Sequence, residues 1–117
     1  MVATPNVMTD NSWYPDFGAT NHYTSDPNNL IIWDIYAGND QIHMRYGIGL
    51  AIQHIGQSIF PSQFSSKLLA LKQLLHVPSI SKNLLSVSKF AHDNNVFFEF
   101  HSNHCFVKDQ VTRIVLL

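Results

Sequence analysis

The chain has 117 residues, 45% of them hydrophobic and 12% aromatic, enough for one compact domain and too few for two. Only 13% are charged and the net charge is -1, so the electrostatic footprint of a nucleic-acid binder is missing; a β-leaning or interface-rich chain is expected in place of a charged helical one. Cys105 is the single cysteine, which excludes an internal disulfide framework.

Residues 1–12 are polar and turn-prone, lack the apolar run of a signal peptide, and read as a loose N-terminal arm to a domain over 13–117. Ordered structure is expected to begin at Trp13-Tyr14, an aromatic pair with strand propensity. Pro15-Asp16-Phe17-Gly18 and Asp26-Pro27-Asn28-Asn29 are turn signals. Leu30-Ile31-Ile32-Trp33 suits a short strand or a single helical turn. Gly38-Asn39-Asp40 marks a further turn. Residues 41–45 and 50–56 then read as two arms of a β-hairpin around a glycine-bearing tip.

Residues 64–77 are ambiguous: Phe64, Leu68, Leu71 and Leu75 recur at helical spacing, while Leu69, Leu71, Leu75 and Val77 fit one face of a strand. Periodicity alone favours a helix here, and Pro78 ends either element. The stretch is the most apolar in the chain, yet residues 68–77 are far too few to cross a bilayer, so a soluble, cytoplasmic domain without a membrane partner is expected. A short helix follows, running from Ser86 to His92 with Ser81 or Asn83 as its cap, and stopping at Asn94-Asn95. Residues 96–101 and 104–108 form strand-like runs joined by a two-residue turn at Ser102-Asn103. Many short strands, frequent turns and one short helix make an all-β domain the expected class.

Asp16-Phe17-Gly18-Ala19-Thr20 is the stretch with the most chemistry. A carboxylate at a strand end, followed closely by glycine, suits a site where backbone N–H groups hold the acid; alone, Asp-x-Gly is more often an ordinary turn. The kinase reading of Asp-Phe-Gly fails, because only fifteen residues precede Asp16, with no room for a phosphate loop or a catalytic loop.

The neighbours add weight. Trp13-Tyr14-Pro15-Asp16-x-Gly18-Ala19-Thr20-Asn21-His22-x-Thr24 resembles the W-x-x-D-S-G-A-T-x-H-M-T signature of copia-type retrotransposon Pol polyproteins. Residues 75–87, read as L-H-V-P-x-x-x-x-N-L-L-S-V, are similar to a second segment of that family, and the run from Phe97 to Asp109 is similar to a third. The resemblance implies a small retropepsin-like aspartic-protease β-barrel that works as a homodimer and processes a Gag-Pol polyprotein. Each protomer would supply one catalytic Asp16, with Gly18, Ala19 and Thr20 supporting the loop. Gly47 and Gly49 would lie in a substrate-covering flap, and residues 83–86 would form an apolar strand beneath the catalytic loop. The implied chemistry needs no metal or organic cofactor. Two carboxylates about 3 Å apart cannot both ionise readily, so one acts as base on a water and the protonated one polarises the scissile carbonyl.

Two departures from the family pattern bear on activity. Phe17 stands where the family has Ser or Thr, whose hydroxyl locks the two loops together across the dimer; its loss and the added bulk lead us to expect weak or absent proteolysis. The tip region Arg45-Tyr46-Gly47-Ile48-Gly49 also differs from the family's V-G-N-G-like flap. The alternative is an inactive remnant that acts at most as a dimerisation or peptide-binding module. His101, His104 and Cys105 read as a surface turn with a buried cysteine in preference to a metal site. His22 reads as a structural histidine. Phe97, Phe98 and Phe100 read as core and dimer surface, since no basic residues accompany them for base stacking. Lys67, Lys72, Lys82 and Lys89 read as solvated, and Asp34, Asp40 and Asp93 receive no role.

Overall fold

The computed structural model describes residues 13–38, 41–43 and 49–117, so the loose arm expected over 1–12 and Asp40 lie outside the described residues. Among the described residues, ten strands and one α-helix follow in chain order, with a 3-10 turn at Pro27–Asn29: β1 Trp13–Asp16, β2 His22–Thr24, β3 Ile32–Ile35, β4 Gln41–His43, β5 Gly49–Ala51, β6 His54–Pro61, β7 Leu68–His76, β8 Asn83–Ser86, α1 Val87–Asn94, β9 Val96–Phe100 and β10 Cys105–Asp109. The class is all-β with one short helix. Six strands form the main sheet in the order β1-β8-β2-β7-β6-β3, and β4–β5 and β9–β10 form separate hairpins. The ladder does not close, because β1 and β3 remain its two edges; the expected barrel is an open sheet folded over its core among the described residues.

The helix reading of residues 64–77 is overturned. Residues 68–76 are a strand; Phe64 and Leu68 of the helix-spaced set are exposed, and a β-bulge interrupts the alternation after Leu71. Ser58 pairs with Leu71 and Gly56 with Leu74, so Lys72 and Gln73 of β7 stand opposite the single residue Gln57. Gln73 takes the left-handed conformation, φ 55°, which absorbs the extra residue. The inward face therefore reads Leu69, Leu71, Leu74, all fully buried.

The cap expected at Ser81 or Asn83 lies elsewhere. Asn83 and its neighbours pair with β1 as a strand, and Ser86 is the N-cap, accepting the Lys89 N–H at 3.3 Å. Asn95 ends α1 with φ 56°, a conformation that Asn tolerates better than most residues. Asn94 fastens the helix end to β7: its amide donates to the Ala70 carbonyl at 2.9 Å and accepts the Ala70 N–H at 2.6 Å.

Two apolar clusters result. The larger lies between the sheet, α1 and the β9–β10 hairpin, and includes Trp13, Phe60, Leu69, Leu85, Phe90 and Val107. The chain end joins it: Leu116 and Leu117 are buried, the Leu116 N–H donates to the Val107 carbonyl, and Leu117 exchanges backbone bonds with Val107. The smaller gathers Tyr23, Leu75, Val77 and Ile80 with Ala19 from the β1–β2 loop and Ile42, Leu50 and Ile52 from the β4–β5 arms. Gly56 lets β3 sit tight on β6, since a Cβ there would collide with the Ile32 carbonyl oxygen and come within 2.9 Å of the Trp33 Cα. Lys67 and Lys89 are not simply solvated: Lys67 meets Asp109 at 3.2 Å and the Asn94 carbonyl at 2.8 Å, and Lys89 meets Asp93 one helical turn on at 3.1 Å.

Candidate functional site

Asp16 is the last residue of β1, half-buried, and registers opposite Ser86 of the parallel neighbour β8. Its Oδ1 accepts the Gly18 N–H at 2.8 Å, so the carboxylate is aimed by a turn of its own chain. A Cβ at position 18 would lie 3.5 Å from that same oxygen, an ordinary contact, so glycine is tolerated here without being forced by space.

The loop is fastened from below by one buried side chain. Ser86 Oγ donates to the Ala19 carbonyl at 2.7 Å, and the Ser86 N–H donates to His22 Nδ1 at 2.9 Å. The same hydroxyl caps α1, so the helix start, the loop and β2 meet at one residue. His22 is fully buried and meets the Phe90 ring edge-on at 6.3 Å. Burial first, and the nearby Lys89 charge second, push its pKa down to about 4, so its Nδ1 stays a lone-pair acceptor at neutral pH. Its Nε2 finds no hydrogen-bond partner among the described residues.

A second polar tie joins the same two stretches. Thr24 Oγ1 donates to Asn83 Oδ1 at 2.7 Å, while the Asn29 amide donates to Thr24 Oγ1 at 2.8 Å. Residues 13–24 and 83–86, which carry the two sharpest resemblances, thus lock each other through Ser86–His22 and Thr24–Asn83. His22 is structural, and it also braces the loop that carries Asp16.

The remaining site residues are placed as follows. Ala19 is half-buried in the smaller core and shares it with Ile42 and Leu50 of the hairpin, so the β4–β5 arms stand beside the Asp16 loop. Thr20 is exposed and accepts the Asn21 amide at 3.4 Å. Gly49 opens β5 opposite His43, and Gly47 lies outside the described residues.

Phe17 is 70% exposed and leaves the loop to rest on Phe100, ring centroids 5.1 Å apart. Phe100 stacks on Phe98 at 5.9 Å, and Phe98 meets Phe90 in the core. Phe17 thus forms the solvent end of an aromatic ladder. His101 and His104 stack on each other at 4.7 Å while Cys105 is buried, so the three do not converge. Among the described residues no group of three or more His, Cys, Asp or Glu side chains is arranged to hold a metal ion.

The family model that matches the chain is described as "Pol polyprotein, beta-barrel domain" and covers residues 13–96. Two relatives in Arabidopsis thaliana are similar over 99% of this chain: a retrovirus-related Pol polyprotein from transposon RE2, 41% identical over 116 residues, and one from transposon RE1, 38% identical. The chain spans about 8% of the length of each of these curated relatives. No solved structure matches it.

Proposed function

Because the chain belongs to the Pol polyprotein β-barrel domain family, we propose that it is one half of a homodimeric, copia-type aspartic protease whose action is weakened or abolished by Phe17. The substrate is a polypeptide, the Gag-Pol polyprotein that carries such domains, cut in the cytoplasm. The observation that carries this reading is the position of Asp16: a carboxylate at a strand end, turned by the Gly18 N–H and braced from beneath through Ser86 and Ala19.

One such loop supplies one acid, and hydrolysis needs two. A two-fold axis beside Asp16 brings a second copy of the same loop, because an isologous contact repeats every group across the axis. The two carboxylates share a proton. The ionised one takes a proton from water as that water attacks the scissile carbonyl, and the protonated one donates to the carbonyl oxygen; the newly protonated carboxyl then gives its proton to the amide nitrogen as the C–N bond breaks and the carbonyl re-forms, returning the other proton to the pair. The hairpin arms beside Ala19 supply the cover over an extended substrate.

Phe17 argues for impairment. A phenyl group replaces the hydroxyl that would tie one loop to the other, and each protomer loses that bond. Leaving a polar partner unsatisfied in a closed site costs about 1–3 kcal/mol. The exposed Phe17–Phe100 pair favours a second reading, in which the domain associates through this apolar surface without cutting.

The test is cleavage of a fused upstream polyprotein segment by the natural chain, by Phe17→Ser, and by Phe17→Ser with Asp16→Asn. We expect slow or no cleavage by the first, faster cleavage by the second and none by the third. Cleavage that survives Asp16→Asn would remove the aspartic-protease reading, and silence from all three would leave the association reading in its place.

A further inference from the structure

The main sheet ends at β3, and among the described residues no strand pairs with its outer side. All four residues of β3 are exposed, with Ile32 at 63%, Trp33 at 56% and Ile35 at 71%. Edge strands are usually blunted by lysine, proline or a covering element. Ile32–Ile35 contains neither lysine nor proline and shows three large apolar side chains to solvent.

The pairing with β6 settles which backbone groups face outward. The Tyr36 N–H donates inward to the Gln53 carbonyl at 2.9 Å, and an antiparallel strand turns successive residues to opposite sides. Trp33 and Ile35 therefore direct their N–H and C=O groups to the free edge. The Asp34 carboxylate accepts the Ile35 N–H at 2.9 Å, so one side chain covers the outward donor of the next residue. Trp33 and Ile35 share one face of the sheet, and Ile32 and Asp34 share the other. A groove of about 390 Å³ lies against the strand; its lining includes Ile32, Asp34, Gln57, Lys72 and Gln73.

Charge decides what fits this edge. If two copies of β3 paired so that every outward group was bonded, Trp33 would face Ile35 and Asp34 would face Asp34. Like charges directly opposite each other are destabilising. Among the described residues Asp34 makes no ion pair. Lys72 belongs to β7, so an added strand would run three strand spacings, about 14 Å, away from it. Asp34 is thus the charge that an incoming strand meets.

We propose that the β3 edge docks an extended peptide as one further strand, with lysine or arginine opposite Asp34 and apolar β-branched residues opposite Trp33 and Ile35. The incoming cation draws the carboxylate off the Ile35 N–H, and the peptide backbone takes over that donor. The apolar residues of the peptide lie along Trp33 and Ile35 as cross-strand partners. Asp16 belongs to β1, the other edge of the sheet, and the docking site does not depend on the protease reading.

The probe is a blocked five-residue peptide, Thr-Val-Lys-Val-Thr, titrated into the full chain and followed by amide NMR. The Trp33 and Ile35 amides are expected to shift and to gain exchange protection, while the Val107 amide in β10 stays constant. A peptide with glutamate in place of the lysine, and one N-methylated at both valines, are each expected to bind at least tenfold more weakly. Asp34→Lys is expected to reverse the order of the lysine and glutamate peptides; the N-methylated control needs no variant. No change at Trp33 and Ile35, equal binding of the three peptides, or an unreversed order in Asp34→Lys would overturn the proposal. So would protection of these two amides that rises with protein concentration alone, because a second copy would then hold the edge.

Discussion

Ser86→Ala is the sharpest test of how the Asp16 loop is held. The Ser86 hydroxyl is buried, donates to the Ala19 carbonyl at 2.7 Å and caps α1 through the Lys89 N–H. Losing an N-cap costs about 1 kcal/mol. Leaving a part-buried carbonyl without its donor costs about 1–3 kcal/mol. The sum is a destabilisation of about 2–4 kcal/mol, read by urea denaturation as a lower midpoint at unchanged slope. Ser86→Gly separates the two contributions, because glycine at an N-cap costs only a few tenths of a kcal/mol. It is expected to retain most of the loss, as the Ala19 carbonyl is still orphaned. Amide exchange at Gly18, whose N–H is tied to Asp16, should quicken in both variants. If both lie within about 0.5 kcal/mol of the natural chain, the level of an ordinary surface change, the loop is not held through Ser86.

Three further outcomes follow from the same geometry. The lowered pKa of His22 means that the folded state prefers its neutral form: this stabilisation is fully present above about pH 6.5 and is lost as pH falls through the range down to about 4. The loss is on the order of 3 kcal/mol, and urea midpoints measured from pH 7 to pH 4 should flatten over that window in His22→Asn. Gly56→Ala should push β3 off β6, with a cost of about 1–3 kcal/mol and faster exchange at the Ile31 amide, which donates to the Gln57 carbonyl at 2.8 Å. Asn94→Ala strips three bonds, to Ala70 N–H, Ala70 C=O and Phe90 C=O; thermal melting should show a loss of about 2–4 kcal/mol, whereas an unchanged melt would mean that water replaces the side chain.

Much of the domain was legible where signals are local. The β9–β10 hairpin follows from its two-residue turn, and the His101 N–H indeed donates to the His104 carbonyl across Ser102-Asn103 at 2.8 Å. The turn at Asp26 follows from its own side chain, which accepts the Asn28 N–H at 2.9 Å. Strand β7 was legible only as one of two readings, because a bulge at Lys72-Gln73 breaks the alternation that a strand should display. The second hairpin arm also breaks, into β5 and β6, where Gln53 turns its N–H to His76. Asp16, Gly18 and Ala19 stood out as a motif, yet their bracing did not: Ser86 lies 64 residues beyond His22, and nothing local to either residue announces the other. The buried Leu116 and Leu117 carried no signal, since two apolar residues show no period.

The central claim is that Asp16 is half of a shared site, and a mixing experiment tests it most directly. Phe17→Ser is combined at fixed total concentration with growing amounts of Phe17→Ser carrying Asp16→Asn, and the cleavage rate is followed. If each active centre needs an aspartate from both protomers, the rate falls as the square of the fraction that retains Asp16. A linear fall would mean that one protomer cuts alone, and the shared-site account would be wrong.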